Sequence, residues 1–101
     1  MTFIFLPDAN SEFREAISYH KQIYREYGDL FVAEFAMAIK SVCENPFSYP
    51  VVEHGARRRL MNKFKYSIIY KIHGDTVVIL SIMHQHRRPG YWRKRMKINA
   101  P

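Results

Sequence analysis

Residues 84 to 95, His84-Gln85-His86-Arg87-Arg88-Pro89-Gly90-Tyr91-Trp92-Arg93-Lys94-Arg95, concentrate the groups with which this chain could do chemistry. Two imidazoles could move protons near neutral pH. Five cations could hold a phosphate or receive an acidic peptide, and two aromatic rings could stack on a base. His84 and His86 fall on one face of a strand, as metal ligands sometimes do, but no third ligand stands at a telling spacing and no metal is expected. Upstream, Arg57-Arg58-Arg59 adds three guanidiniums. On a strand Arg57 and Arg59 point together and Arg58 points to the other face.

Each of these residues also has a structural use. A strand-end hydrogen bond suits His84 as well as catalysis does. Internal pairing or a charged sheet edge accounts for the three arginines, and packing of a terminal segment accounts for Tyr91 and Trp92. His20 and His73 receive no role, and Cys43 reads as a small core residue.

The elements that must position these groups come next. A chain of 101 residues, 48% apolar and 15% aromatic, is long enough for one domain over residues 1–101 with its own core. The net charge of +7 points to an anionic partner and says nothing about fold. Residues 1–50 hold four Lys/Arg and seven Asp/Glu, net −3, and residues 51–101 hold twelve and two, net +10, so the positive charge belongs to the second half. With Cys43 as the one cysteine, no intrachain disulfide can form, and a reducing cytoplasm is the expected location. No signal peptide is apparent, and no apolar run approaches the roughly 20 residues of a membrane helix. Phosphate loops, dinucleotide fingerprints, zinc-protease and serine-hydrolase motifs are all absent, so no cofactor is expected.

Thr2 to Leu6 reads as a strand ended by Pro7. Asp8 is the expected N-cap of a first helix, whose apolar positions from Phe13 to Tyr27 lead to Gly28; Asp29 then caps a second helix, closed by Asn45-Pro46. Phe47 to Gly55 is expected to be an irregular connection. Arg57 to Met61, Tyr66 to His73 and Thr76 to His84 read as strands, the last two joined at Gly74-Asp75. A regular ladder then sets Ile72 opposite Val77, Tyr70 opposite Ile79, Ile68 opposite Ser81 and Tyr66 opposite Met83. It places His84 on the face away from the helices. That second face carries Val78, Leu80 and Ile82 and needs a cover, either the C-terminal segment or another protein. Tyr91 to Lys97 could form a short basic helix with Pro89 at its start. The expected fold class is α+β: an N-terminal strand, an antiparallel helical hairpin packed on a mainly antiparallel sheet, and that C-terminal helix.

The ordered set Asn45-Pro46, Tyr49-Pro50, Arg57-Arg58-Arg59, Tyr66-Ser67-Ile68 with Tyr70, and His84 with Arg87, Pro89, Tyr91 and Trp92 resembles the ParE/RelE superfamily of toxins from type II toxin-antitoxin modules. The ending is closer to the ParE branch. The resemblance implies a toxin that inhibits DNA gyrase, serves plasmid stabilisation and is held in a hetero-oligomer by a cognate antitoxin. Such an inhibitor is no enzyme; its target- or nucleic-acid-binding residues would be Arg57, Arg59, Arg87, Arg88, Trp92, Arg93 and Arg95. A RelE-type relative would instead cleave ribosome-bound mRNA without a metal, with His84, His86, Arg87 and Tyr91 as the catalytic candidates. A third reading is a non-toxic relative that binds only an antitoxin or nucleic acid.

Overall fold

The computed structural model describes residues 1–88 and 90–97. Strand β1 (Thr2–Phe5) stops short of Pro7, which opens helix α1 (Pro7–Ile23) at a position where its missing N–H costs nothing. Leu6 is the N-cap, two residues before the expected Asp8, and Asp8 sits in the first turn, where its charge favours the positive helix end. Helix α2 (Arg25–Glu44) follows after a single extended residue, Tyr24, with φ −157° and ψ 131°. The hairpin therefore turns at Tyr24 and not at Gly28-Asp29. Gly28 is buried inside α2, where an added Cβ would lie 2.3 Å from Lys21 Cγ, so it serves the close approach of the two helices rather than a left-handed cap.

Asn45 caps α2 ahead of Pro46, as expected. The connection beyond it is more regular than the sequence suggests: strand β2 (Val51–Glu53) lies within it and pairs antiparallel with β3 (Ala56–Leu60). Strands β4 (Tyr66–His73) and β5 (Thr76–His84) follow, joined at Gly74-Asp75, with Gly74 at φ 60°. The sheet order is β1-β5-β4-β3-β2, with β1 parallel to β5 and every other pair antiparallel.

The β4–β5 ladder begins in the expected register, with Ile72 opposite Val77 and Tyr70 opposite Ile79. It then slips by one: Ile69 faces Ser81, Ile68 faces Ile82 and Tyr66 faces His84. A β-bulge at Leu80 causes the shift. A regular ladder would have set the Ser81 hydroxyl against Ile68 in the helix-facing core; the bulge puts Ile82 there instead and keeps Leu80 and Met83 together on the opposite side. The same slip carries His84 to the helix side of the sheet, which corrects the face expected for it.

Two apolar clusters result. Phe31, Phe35, Ile39 and Val42 of α2 pack on Ile68, Tyr70, Val77, Ile79 and Ile82. On the other face Leu6, Ala56, Ile69, Val78, Leu80 and Met83 are covered by Trp92, with Tyr91 and Met96 beside it. The chain's own C-terminal segment thus covers the second face. It does so as a 3₁₀ turn, Arg93–Lys97, rather than a helix from Tyr91; Pro89, expected to start that helix, lies outside the described residues. Among the described residues no helix is long and apolar enough to cross a membrane.

Candidate functional site

The C-terminal segment is fastened to α1 through one carboxylate that the sequence reading passed over. Glu12 Oε1 accepts from Ser81 Oγ (3.0 Å), the Ile82 N–H (3.2 Å) and Arg95 Nη1 (2.8 Å). Glu12 Oε2 accepts from the Tyr91 phenol (2.5 Å) and Arg95 Nη2 (3.3 Å). Arg95 also donates to the Leu80 carbonyl (2.8 Å) and pairs with Asp8 at 3.5 Å. The bulge makes this convergence possible by turning Ser81 and the Ile82 N–H toward α1. Ser81 and Tyr91 are themselves 2.6 Å apart. Two hydroxyls carry two protons for three oxygen–oxygen contacts, so hydrogens can change partners here without heavy-atom movement. A signal for Glu12 did exist: it lies three residues after Ala9 and four before Ala16, both buried on α1, so its carboxylate had to meet a donor.

Burial, and then the Glu12 carboxylate, push the Tyr91 hydroxyl up to about 12. For Arg95 burial opposes the charge, but Glu12 outweighs it and the guanidinium stands above its ordinary value. Neither group is poised to trade protons near neutral pH.

The remaining cations divide between held and free. Arg57 donates to the carbonyls of Phe47 (3.1 Å) and Tyr49 (2.7 Å) and lies over the Phe47 ring. Arg59 donates to Ser41 Oγ (3.2 Å) and to the Leu60 carbonyl, and lies over Tyr49. These two share a face, as strand alternation requires, and tie the 47–49 connection to β3. Arg93 makes a bidentate pair with Glu53 (2.5 and 3.1 Å), which holds the Glu53 carboxyl below the usual range through its hydrogen bond. Trp92 is 3% exposed, so its indole packs on the sheet and offers no open plane to a base. Arg87 and Arg88 are exposed, and among the described residues neither side chain has a hydrogen bond or ion pair; Arg87 lies over the Tyr91 ring at 4.2 Å.

His84 and His86 form the remaining pair. The His86 N–H donates to His84 Nδ1 (3.1 Å), and the rings are 5.2 Å apart. This bond assigns the neutral His84 hydrogen to Nε2. Partial burial, then the neighbouring His86 and Lys65, lower the His84 pKa from its ordinary value. Its ring edge meets Tyr66 at 5.1 Å, on the side where Tyr66 packs against Phe31. Among the described residues no group of three or more His, Cys, Asp or Glu could hold a metal ion.

An N-terminal strand and two helices laid on a mostly antiparallel five-stranded sheet make a fold that solved structures share. The family model "ParE toxin of type II toxin-antitoxin system, parDE" matches residues 3–89. The chain belongs to the toxins of type II toxin-antitoxin systems and, among them, to the ParE family. Among solved structures it is similar to a chain of the chromosomal ParDE toxin-antitoxin system from P. aeruginosa, with a TM-score of 0.73 and 15% identity over 83% of this chain and 95% of that one. That likeness is one of fold. No curated protein matches.

Proposed function

We propose that the chain inhibits DNA gyrase by binding it and that a cognate antitoxin neutralises it in a hetero-oligomer. Membership of the ParE family supports this target. The observation that favours binding over RNA cleavage is the commitment of Tyr91, one of the four catalytic candidates, to Glu12. A RelE-type site would ask such residues for proton transfer and for a free cation at the scissile phosphate. Here the phenol is held neutral against Glu12, whereas the cationic candidate Arg87 stays unpaired among the described residues and open to a partner. Of the seven residues first considered for target contact, Arg87 and Arg88 are the ones free to make it, and we assign them that role.

The test is a supercoiling assay with purified gyrase beside a cleavage assay on translated mRNA. Inhibition of supercoiling without RNA cleavage supports the reading. Cleavage of mRNA with gyrase left untouched would overturn it. Relief of inhibition by the product of an adjacent short reading frame would identify the antitoxin.

A further inference from the structure

Beside the end of β5 the chain keeps a group of positive and aromatic side chains that the folding contacts do not consume. The turn Gln85–Arg88 packs on the β3–β4 loop through the Gln85 N–H to the Lys65 carbonyl (2.8 Å), which sets Lys65 near His84, and the Arg87 N–H closes the turn on the His84 carbonyl (2.9 Å), with His86 and Arg88 in the same turn. These five are exposed. Next to them, between α1 and the sheet, is a cleft of about 240 Å³ whose walls include Glu15, Tyr19, Tyr66, His84, Arg87 and Tyr91. That is below the roughly 300 Å³ at which drug-sized sites begin.

We propose that this cleft and its cationic rim form a binding site for single-stranded nucleic acid. Phosphates lie along Lys65, Arg87 and Arg88, and one base enters the cleft against Tyr19. Tyr19 is 57% exposed on α1, an open aromatic plane where Trp92 is a buried one. Glu15 can only accept hydrogen bonds and suits the amino edge of a base. The groups around the His84 imidazole are His86, Lys65 and Arg87 from the loop and turn, Glu12, Glu15 and Tyr19 from α1, Tyr66 from β4, Tyr91, and His20 behind Tyr66. Of the two carboxylates, Glu12 is occupied by Arg95 and Tyr91, which leaves Glu15 against the whole rim. The crowding of like charge around His84 is relieved when a phosphate arrives, so binding takes up protons and tightens as pH falls. The site shares Arg87 and Arg88 with the gyrase contact proposed above, but strand binding requires no gyrase and is measured without it.

Labelled single-stranded DNA, single-stranded RNA and duplex DNA of one length, titrated with the full chain by fluorescence anisotropy over a range of KCl, test this directly. No gyrase is present, so the outcome is independent of the supercoiling assay. Single strands bind more tightly than duplex, more tightly at pH 6 than at pH 8, and the DNA and RNA arms identify which strand is preferred. Arg87→Ala with Arg88→Ala weakens binding about tenfold or more and lowers the salt slope by about 1.4, which is about 0.7 per lost contact. Tyr19→Ala weakens single-strand binding alone. Lys40→Ala and Arg58→Ala, which remove exposed cations elsewhere, leave it within about threefold. Thermal melts establish that each variant is folded. Absence of binding at low salt, preference for duplex, or equal weakening by Lys40→Ala and Arg87→Ala would each overturn the proposal.

Discussion

Tyr91 donates a hydrogen bond to Glu12 across 79 positions of sequence, and with Arg95 on the same carboxylate it latches the end of the chain to its first helix. The latch holds Trp92 over the second face of the sheet. Polar contacts on one side of the segment thus protect apolar burial on the other, and Glu12 of the net-negative first half joins Glu53, Leu80 and Ser81 of the second in fixing the basic ending in place.

Removing the carboxylate is therefore expected to cost more than a surface charge would. The Glu12 and Arg95 side chains are 14% and 15% exposed, and Glu12→Ala leaves a cation with little solvent and takes this acceptor from Ser81, the Ile82 N–H and Tyr91 as well. A loss of about 3–5 kcal/mol in urea unfolding is expected. Glu12→Gln, which keeps the shape and one acceptor, loses about 1–3 kcal/mol. Combining Glu12→Ala with Arg95→Met recovers part of the loss, because the stranded charge goes too. Additive effects in that cycle would refute the coupling.

Much of this architecture was legible in the sequence, and the failures have physical causes. Hairpin and strand periods located both helices and β3 to β5, and Gly74-Asp75 set the start of the ladder correctly. The helix turn was misplaced because Gly28 signals a break, whereas its purpose is contact with Lys21, and Tyr24 needs no special residue type to adopt an extended backbone. The bulge at Leu80 was invisible to an alternation rule that assumes a period of two, and with it went the side on which His84 stands. The candidate cations were found by composition alone. Which of them are free was not, because the partners of Arg59, Arg93 and Arg95 come from other segments of the chain.

Trp92 reports on the latch. It is the one tryptophan and is almost fully buried, so native emission is expected to be blue-shifted and shielded from acrylamide. In Glu12→Ala the emission moves to the red and quenching rises before global unfolding, as the segment lifts from the sheet. Trp92→Ala itself costs about 3–5 kcal/mol and increases binding of an apolar dye to the uncovered face. Native emission already at the solvent-exposed wavelength would contradict the packing described here.

Alkaline pH tests the buried Tyr70 phenol and the half-buried Tyr91 phenol. Tyr70 donates to the Pro46 carbonyl at 2.7 Å, and burial pushes both Tyr70 and Tyr91 up to about 12 from an ordinary value of 10.0. Each phenol keeps its proton longer in the folded chain than in the unfolded one. Their contribution to stability is therefore complete below pH 10 and is lost as pH rises from 10 toward 12. Urea midpoints measured across that window should fall, and Tyr70→Phe should flatten part of the decline. A midpoint constant through pH 12 would show that neither phenol is protected.

His84 titrates in the opposite sense, and its position follows from the bulge. Its pKa is lowered by partial burial and by its neighbours His86 and Lys65, so the unfolded chain takes up a proton there more readily than the folded one. The sign follows: this contribution is fully present above the ordinary value of 6.5 and is lost as pH falls through the lower folded value. In a histidine NMR titration the His84 ring should show a midpoint below 6.5, with its hydrogen on Nε2 in the neutral form because Nδ1 accepts the His86 N–H. His86→Ala and Lys65→Ala should each raise that midpoint by removing a like charge. His86→Ala keeps the backbone N–H, so the tautomer should persist in that variant while the midpoint moves. A proton on Nδ1, or a midpoint indifferent to both substitutions, would mean that His84 does not stand on the helix side of the sheet beside Tyr66 with its neighbours as described.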